Sequence, residues 1–190
     1  MRYAPLPPHT NEDELAEAVL TQLAPWFDYR REVYGAHCGG RRLRIDAVAW
    51  PRDPGGWKDE HPVFGIEFKA VELMTFDTTN FTRWAAQAVD YTHVEWEGYG
   101  RLRVFTCPSP VKDFRTAEPG IDAAYLVSRL LWQLGVGELA TLHGEGWSLL
   151  AQGQHLLWSE SHGVHEAKRW SVKPKTGSRG SAGGKRAQDG

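Results

Sequence analysis

Cysteine is scarce, with only Cys38 and Cys107 in 190 residues. Two thiols can build neither a disulfide framework nor a four-thiolate cluster, so both read as small buried hydrophobes. Long apolar runs are absent too. No stretch reaches the roughly 18 residues that a membrane-spanning helix needs. The run Met1-Arg2-Tyr3-Ala4-Pro5 leads into prolines and acids, so no secretory signal is expected and the cytoplasm is the expected compartment. There is no glycine-rich phosphate loop ending in Lys-Ser/Thr and no nucleophile-elbow serine, which removes the NTPase and α/β-hydrolase classes. Internal repeats are missing as well. What remains, 41% hydrophobic and 24% charged residues, is the composition of a globular chain.

The net charge of -2 conceals an asymmetry. Residues 167–190 hold seven basic side chains against Asp189 alone, a net +6 that leaves -8 on residues 1–166. Past Val172 this segment is glycine, serine and charge, too polar to offset its ordering entropy by burial. The expected organisation is therefore a domain over 1–166 and a disordered basic tail over 167–190. A basic tail attracts polyanions, nucleic acid first; the alternative reading is a simple solubilising appendage.

Periodicity and breakers divide the domain into elements. Thr10 and Asp13 form a capping pair for a helix that runs to about Ala24. Strands are predicted over Asp28–His37, Arg41–Trp50 and Val63–Val71, with an exposed proline-rich loop over Pro51–Pro62. A helix follows over Asp77–Glu97, then a strand over Tyr99–Cys107 and an apolar helix over Ile121–Leu134. Glycine-separated segments at Glu138–His143, Trp147–Gln152 and His155–Ser159 read as a small C-terminal cluster of antiparallel strands. The fold class is α/β (α+β), a central mixed sheet flanked by helices.

Acids inside apolar strands are the anomaly that points to chemistry. Asp46 interrupts Leu43, Ile45, Ala47 and Ala49, which share the opposite face. Glu67 and Lys69 share a face behind Phe64, Ile66, Phe68 and Ala70. Unpartnered burial of such charges costs several kcal/mol. A lone Glu-x-Lys is ordinarily a cross-strand ion pair. Here, however, an acid lies 21 residues upstream on the preceding strand, and two converging carboxylates repel unless a divalent cation lies between them. On the first helix, Leu15, Ala16, Val19, Leu23 and Trp26 form the apolar stripe and Glu12 leads it, so Glu12 can reach the sheet or else simply favour the helix dipole. On the second helix Gln87 and Tyr91 stand i, i+4 beside Trp84.

The ordered set of Glu12, Asp46, Glu67-Phe68-Lys69 and Gln87-Ala88-Val89-Asp90-Tyr91 resembles the PD-(D/E)XK nuclease superfamily. The Gln-x-x-x-Tyr element is similar to that of its RecB-like branch. The resemblance spans residues 11–107 and implies a restriction-endonuclease-like αβββαβ core. It implies that Asp46, Glu67 and the Phe68 carbonyl hold Mg²⁺ or Mn²⁺, that Glu12 assists the metal site and that Lys69 acts on the water. Gln87 and Tyr91 would help position substrate. It implies DNA as partner, no membrane, and leaves a homodimer open. Ile45 stands where the motif's name-giving proline would be, and the iron–sulfur cysteines of some RecB-like members are absent. The expected activity is Mg²⁺-dependent hydrolysis of DNA phosphodiesters; the alternative is a nucleic-acid-binding or assembly module that keeps the fold without cutting.

Three further features read as background. Nine tryptophans suit core packing, with stacking on bases as a second use. Arg41, Arg42 and Arg44 are either phosphate contacts or a solvated sheet face. His162 and His165 have metal-like spacing, but without a further ligand nearby they read as solvent-facing.

Overall fold

A computed structural model describes residues 2–57, 59, 61–70, 78–109, 123–151 and 155–165. The expected tail over 167–190 lies outside the described residues. The elements are α1 (Glu12–Leu23), β1 (Phe27–His37), β2 (Arg42–Pro51), β3 (Phe64–Phe68), α2 (Thr78–Tyr91), β4 (Val94–Trp96), β5 (Val104–Cys107), α3 (Ala123–Gln133), β6 (Val136–Leu142), β7 (Gly146–Ala151), β8 (His155–Ser159) and β9 (Gly163–Val164). All nine of these strands join one mixed sheet in the order β4-β1-β2-β3-β5-β6-β7-β8-β9. β1, β2 and β3 form an antiparallel meander, and β5 then lies parallel to β3 after the α2 crossover. β6 is parallel to β5, and the remaining pairings are antiparallel. The segments expected as a separate C-terminal cluster therefore continue the main sheet.

Hydrophobic packing on the two sides of this sheet explains its helices. Leu15, Ala16, Val19, Leu20 and Leu23 of α1 pack with Phe27, Ala47, Ala49, Phe64, Ile66, Phe68 and Trp158. A second cluster gathers Val33, Ile45, Val48, Tyr91, Val94, Trp96, Leu102 and Val104. Burial of Trp84, Trp96, Trp132, Trp147 and Trp158 accounts for most of the tryptophans as core. Among the described residues no helix is long and apolar enough to cross a membrane.

Several boundaries differ from expectation for identifiable reasons. Asn11, not Thr10, caps α1 by accepting the Glu14 N–H at 2.9 Å, while Thr10 donates its own N–H and hydroxyl to Glu14. That exchange is a capping box displaced by one residue. α2 ends at Tyr91 because the Thr92 hydroxyl and the His93 N–H close onto the Val89 and Asp90 carbonyls. The next residues then alternate buried Val94, exposed Glu95 and buried Trp96, a strand pattern, and pair with β1. β5 begins only at Val104, since Trp96 and Gly100 close a tight turn upstream. Cys107 is buried as expected; Cys38 is exposed in the β1–β2 turn.

Candidate active site: a carboxyl pair at the β2–β3 junction

The pairing of β2 with β3 covers Ala47↔Ile66, Val48↔Gly65 and Ala49↔Phe64. Beyond Ile66 the ladder stops, and the Asp46 carboxylate takes its place by accepting the Phe68 N–H at 2.8 Å. A side chain thus substitutes for a backbone partner where the strands part, which fixes Asp46 against β3. On β2 the regular alternation breaks at the same position. Leu43 and Ile45 pack into the cluster with Trp96, whereas Ala47 and Ala49 pack under α1, so these four residues do not share the single face expected for them. Opposite lies Glu32, a non-glycine residue at φ +52°, in the gap between the pairs Arg31↔Ala47 and Val33↔Ile45. A residue held in that region costs on the order of 1–3 kcal/mol, and such strain collects at functional sites.

Glu67 faces α2 with only 3% of its surface exposed. Gln87 donates through Nε2 to Glu67 Oε1 at 2.6 Å and to the Tyr91 hydroxyl at 2.9 Å. The other oxygen, Oε2, is buried and receives no hydrogen bond. Burial, and then the facing Asp46 carboxyl, push Glu67 up to about 9. Burial also raises Asp46, against the Phe68 N–H bond that favours its charged form. Tyr91 is held up at about 12 by burial and by Glu67. These are two acids that cannot both ionise side by side without a cation.

Lys69 lies just past β3, its N–H bound to the Cys107 carbonyl. Its ammonium pairs with Glu12 at 3.1 Å, both side chains being partly exposed. The helix-leading glutamate therefore does reach the sheet. It reaches Lys69, and the three carboxylates of Glu12, Asp46 and Glu67 do not close to within 4.8 Å of one another. A cleft of about 530 Å³ opens here, lined by Glu12, Asp46, Arg31 and Arg44. Arg31 pairs with Asp13 and Glu17, and Arg44 with Glu32 at 2.6 Å. Arg41 and Arg42 lie elsewhere, paired with Asp90 and Glu97.

Of the residues singled out on the sequence, Asp46 meets Phe68, Glu67 meets Gln87 with Tyr91 beside it, and Lys69 meets Glu12, whereas Arg41, Arg42, His162 and His165 lie outside this region. Arg31 and Glu32 escaped notice. Both sit in a polar strand where neither alternation nor spacing marks them, and only the β1–β2 register carries Arg31 to the cleft and Glu32 to Arg44 beside it.

The donor set itself tests whether a metal suits the site. The acceptors are hard carboxylate oxygens, one of them buried without a donor, and both acids are pushed toward the neutral form. That pattern fits a divalent cation of the Mg²⁺ class, which favours a few carboxylates plus waters. No protein-family model, curated protein or solved structure matches the chain.

Proposed function

We propose that this protein is a metal-dependent nuclease of the PD-(D/E)XK type that hydrolyses DNA phosphodiester bonds. The observation that carries the reading is the Asp46–Glu67 carboxyl pair, Glu67 buried with one oxygen that receives no hydrogen bond and Asp46 half-buried at the cleft, with Lys69 following on the same chain segment. The order of elements supports it: α1, the β1–β2–β3 meander, α2, then β5 parallel to β3, which is the αβββαβ order of that superfamily with β4 added. The cleft beside Asp46 supplies room for a phosphodiester, and the +6 of residues 167–190 supplies attraction for a polyanion.

Asp46, Glu67 and the Phe68 carbonyl would hold Mg²⁺ or Mn²⁺, with Glu12 assisting. Bound there, the cation supplies Lewis-acid polarisation of a phosphoryl oxygen and acidifies water. The chain's own residues do the rest. The Phe68 N–H fixes the Asp46 carboxylate, and Gln87 fixes Glu67 by one oxygen so that the other is free for ligation. Gln87 is in this reading a positioning residue acting through Glu67. Lys69 directs an ammonium at the attacking water or at the charge that builds on phosphorus. Arg31 and Arg44 draw the phosphate backbone into the cleft.

Cleavage of linear, circular and branched DNA with and without Mg²⁺ tests the reading. Asp46→Asn and Glu67→Gln should abolish Mg²⁺-dependent cutting with the fold intact. Lys69→Ala should lose on the order of 10²-fold or more in single-turnover rate, while Gln87→Ala loses less. Full activity in either carboxyl variant overturns the assignment. Mg²⁺-independent DNA binding without cutting by the unmodified chain favours the non-cleaving module.

A further inference from the structure

The motif His162-Gly163-Val164-His165 gains in the fold what it lacks in the sequence, a third ligand. β8 and β9 form a hairpin whose turn ends at Gly163, at φ +68°. This turn is laid against the β6–β7 turn by two backbone hydrogen bonds. Glu160 N–H donates to the Trp147 carbonyl at 2.8 Å, and Ser161 N–H to the Glu145 carbonyl at 3.2 Å. Glu145 on the β6–β7 turn thereby meets His162 on the β8–β9 turn and His165 just past β9. Ligand atoms of Glu145, His162 and His165 all lie within 4.8 Å of one another. His162 Nδ1 is 3.0 Å from Glu145 Oε2, and the two rings lie 5.7 Å apart between centroids at a tilt of 59°.

Two serines tie the group together. Ser159 Oγ donates to Glu145 Oε2 at 2.8 Å and stands 2.9 Å from His165 Nε2. Ser161 Oγ donates to the same carboxylate oxygen at 2.8 Å and lies 2.7 Å from His162 Nδ1. Three polar groups from one hairpin therefore converge on a single carboxylate oxygen of the other turn. None of these residues touches the carboxyl pair at Asp46 and Glu67, and the proposed reaction makes no use of them.

We propose that Glu145, His162 and His165 form a binding site for a first-row divalent transition cation of the zinc class, distinct from the Mg²⁺-class site at Asp46 and Glu67. Two imidazoles and one carboxylate are the donor set that such cations prefer, whereas an all-oxygen pair suits a harder ion. In a tetrahedral site with bonds of about 2.0–2.1 Å, ligand atoms lie about 3.4 Å apart. The Glu145–His162 distance is already within that span. The remaining closure asks only for rotation of the partly exposed side chains of Glu145, His162 and His165, with Ser159 and Ser161 holding the carboxylate as outer hydrogen-bond partners. Water fills the fourth position, since His162 is 62% exposed. The cation braces the β8–β9 hairpin onto the β6–β7 turn at the far edge of the sheet.

The full chain, tag-free and stripped of metal, is titrated with Zn²⁺ by calorimetry and with Co²⁺ by visible absorption, and its melting temperature is followed. With excess Mg²⁺ present to hold the carboxyl pair, one equivalent is expected, with a Co²⁺ ligand-field band and a raised melting temperature. His165→Ala and the gentler His162→Asn should each weaken affinity at least tenfold and abolish the Co²⁺ band. Asp46→Asn should leave the Zn²⁺ titration unchanged, and excess Mg²⁺ should not compete. Should His165→Ala fail to fold, the exposed His162→Asn alone decides. Absence of Zn²⁺ binding, or binding indifferent to His162→Asn, overturns the proposal. Loss of Zn²⁺ binding in Asp46→Asn does so as well, since the ion would then sit at the carboxyl pair. Absence of Mg²⁺-dependent DNA cleavage by the unmodified chain, with its Zn²⁺ titration intact, would count against the nuclease reading alone.

Discussion

Glu67 stands in a five-residue strand whose every position is buried, so its charge finds no water and, on one oxygen, no donor. The consequence for stability has a definite sign. Its folded value, about 9, is raised above the ordinary carboxyl value of 4.5. The folded chain therefore keeps a proton that the unfolded chain releases. Without metal, stability is fully present below about pH 4.5 and is lost as pH rises toward 9. The loss amounts to a few kcal/mol by order of magnitude. Glu67→Gln should flatten this dependence and raise the metal-free melting temperature at pH 8. Denaturation scans from pH 5 to 9 check it; equal slopes in both proteins would mean that Glu67 is not the titrating group. The same anomaly made Asp46, Glu67 and Lys69 legible in the sequence, because a charge within an apolar strand demands an explanation. Glu12 was legible from its helical face. The strained Glu32 and the meeting of Glu145 with two histidines were not, since each exists only through strand register or turn-on-turn contact.

At the scale of elements, strongly periodic segments were legible and their junctions were not. α1, the β1–β2–β3 meander and α3 follow from stripes and breakers. β4 falls inside the helix expected over Asp77–Glu97, because no glycine or proline interrupts the segment before Gly98; Val94 and Trp96 stand i, i+2, a strand spacing, and the closing turn at Thr92 and His93 ends α2 ahead of them. The face change at Asp46 was invisible to strict alternation. That β6 joins β5 in parallel follows from α3 acting as a crossover, which no local pattern announces. The junction of these two halves is tight. A Cβ placed on Gly137 would lie 2.5 Å from Phe105 Cε1 and 2.9 Å from the Leu150 carbonyl oxygen. The ring is buried and the carbonyl is backbone, so neither yields cheaply. Gly137→Ala should destabilise by about 1–3 kcal/mol, read as a lower urea midpoint at unchanged m-value. An unaltered midpoint would show that the β5–β6 contact has slack.

Over the whole chain, charge is divided unevenly between residues 1–166 and 167–190, and under the proposed function that division bears on DNA binding. Residues 1–166 carry -8 and oppose approach to a polyanion, while residues 167–190 carry +6. The cleft's own cations are partly spent, since Arg31 and Arg44 already pair with Asp13, Glu17 and Glu32. Binding free energy for DNA should therefore come largely from the C-terminal lysines and arginines, and the cleft should contribute geometry. Phosphate contacts release condensed counterions, so each adds about 0.9 to the slope of log affinity against log salt on duplex DNA. Removing residues 167–190 should weaken binding and flatten that slope by several units, independently of DNA sequence. Fluorescence anisotropy between about 50 and 200 mM salt, with Ca²⁺ in place of Mg²⁺ to prevent cutting, measures both quantities. Cleavage of a saturating substrate by the truncated chain should survive, because Asp46, Glu67 and Lys69 lie in the retained part. Equal salt slopes with and without the tail would instead move the phosphate contacts onto the folded domain, with Arg31 and Arg44 the first residues to test.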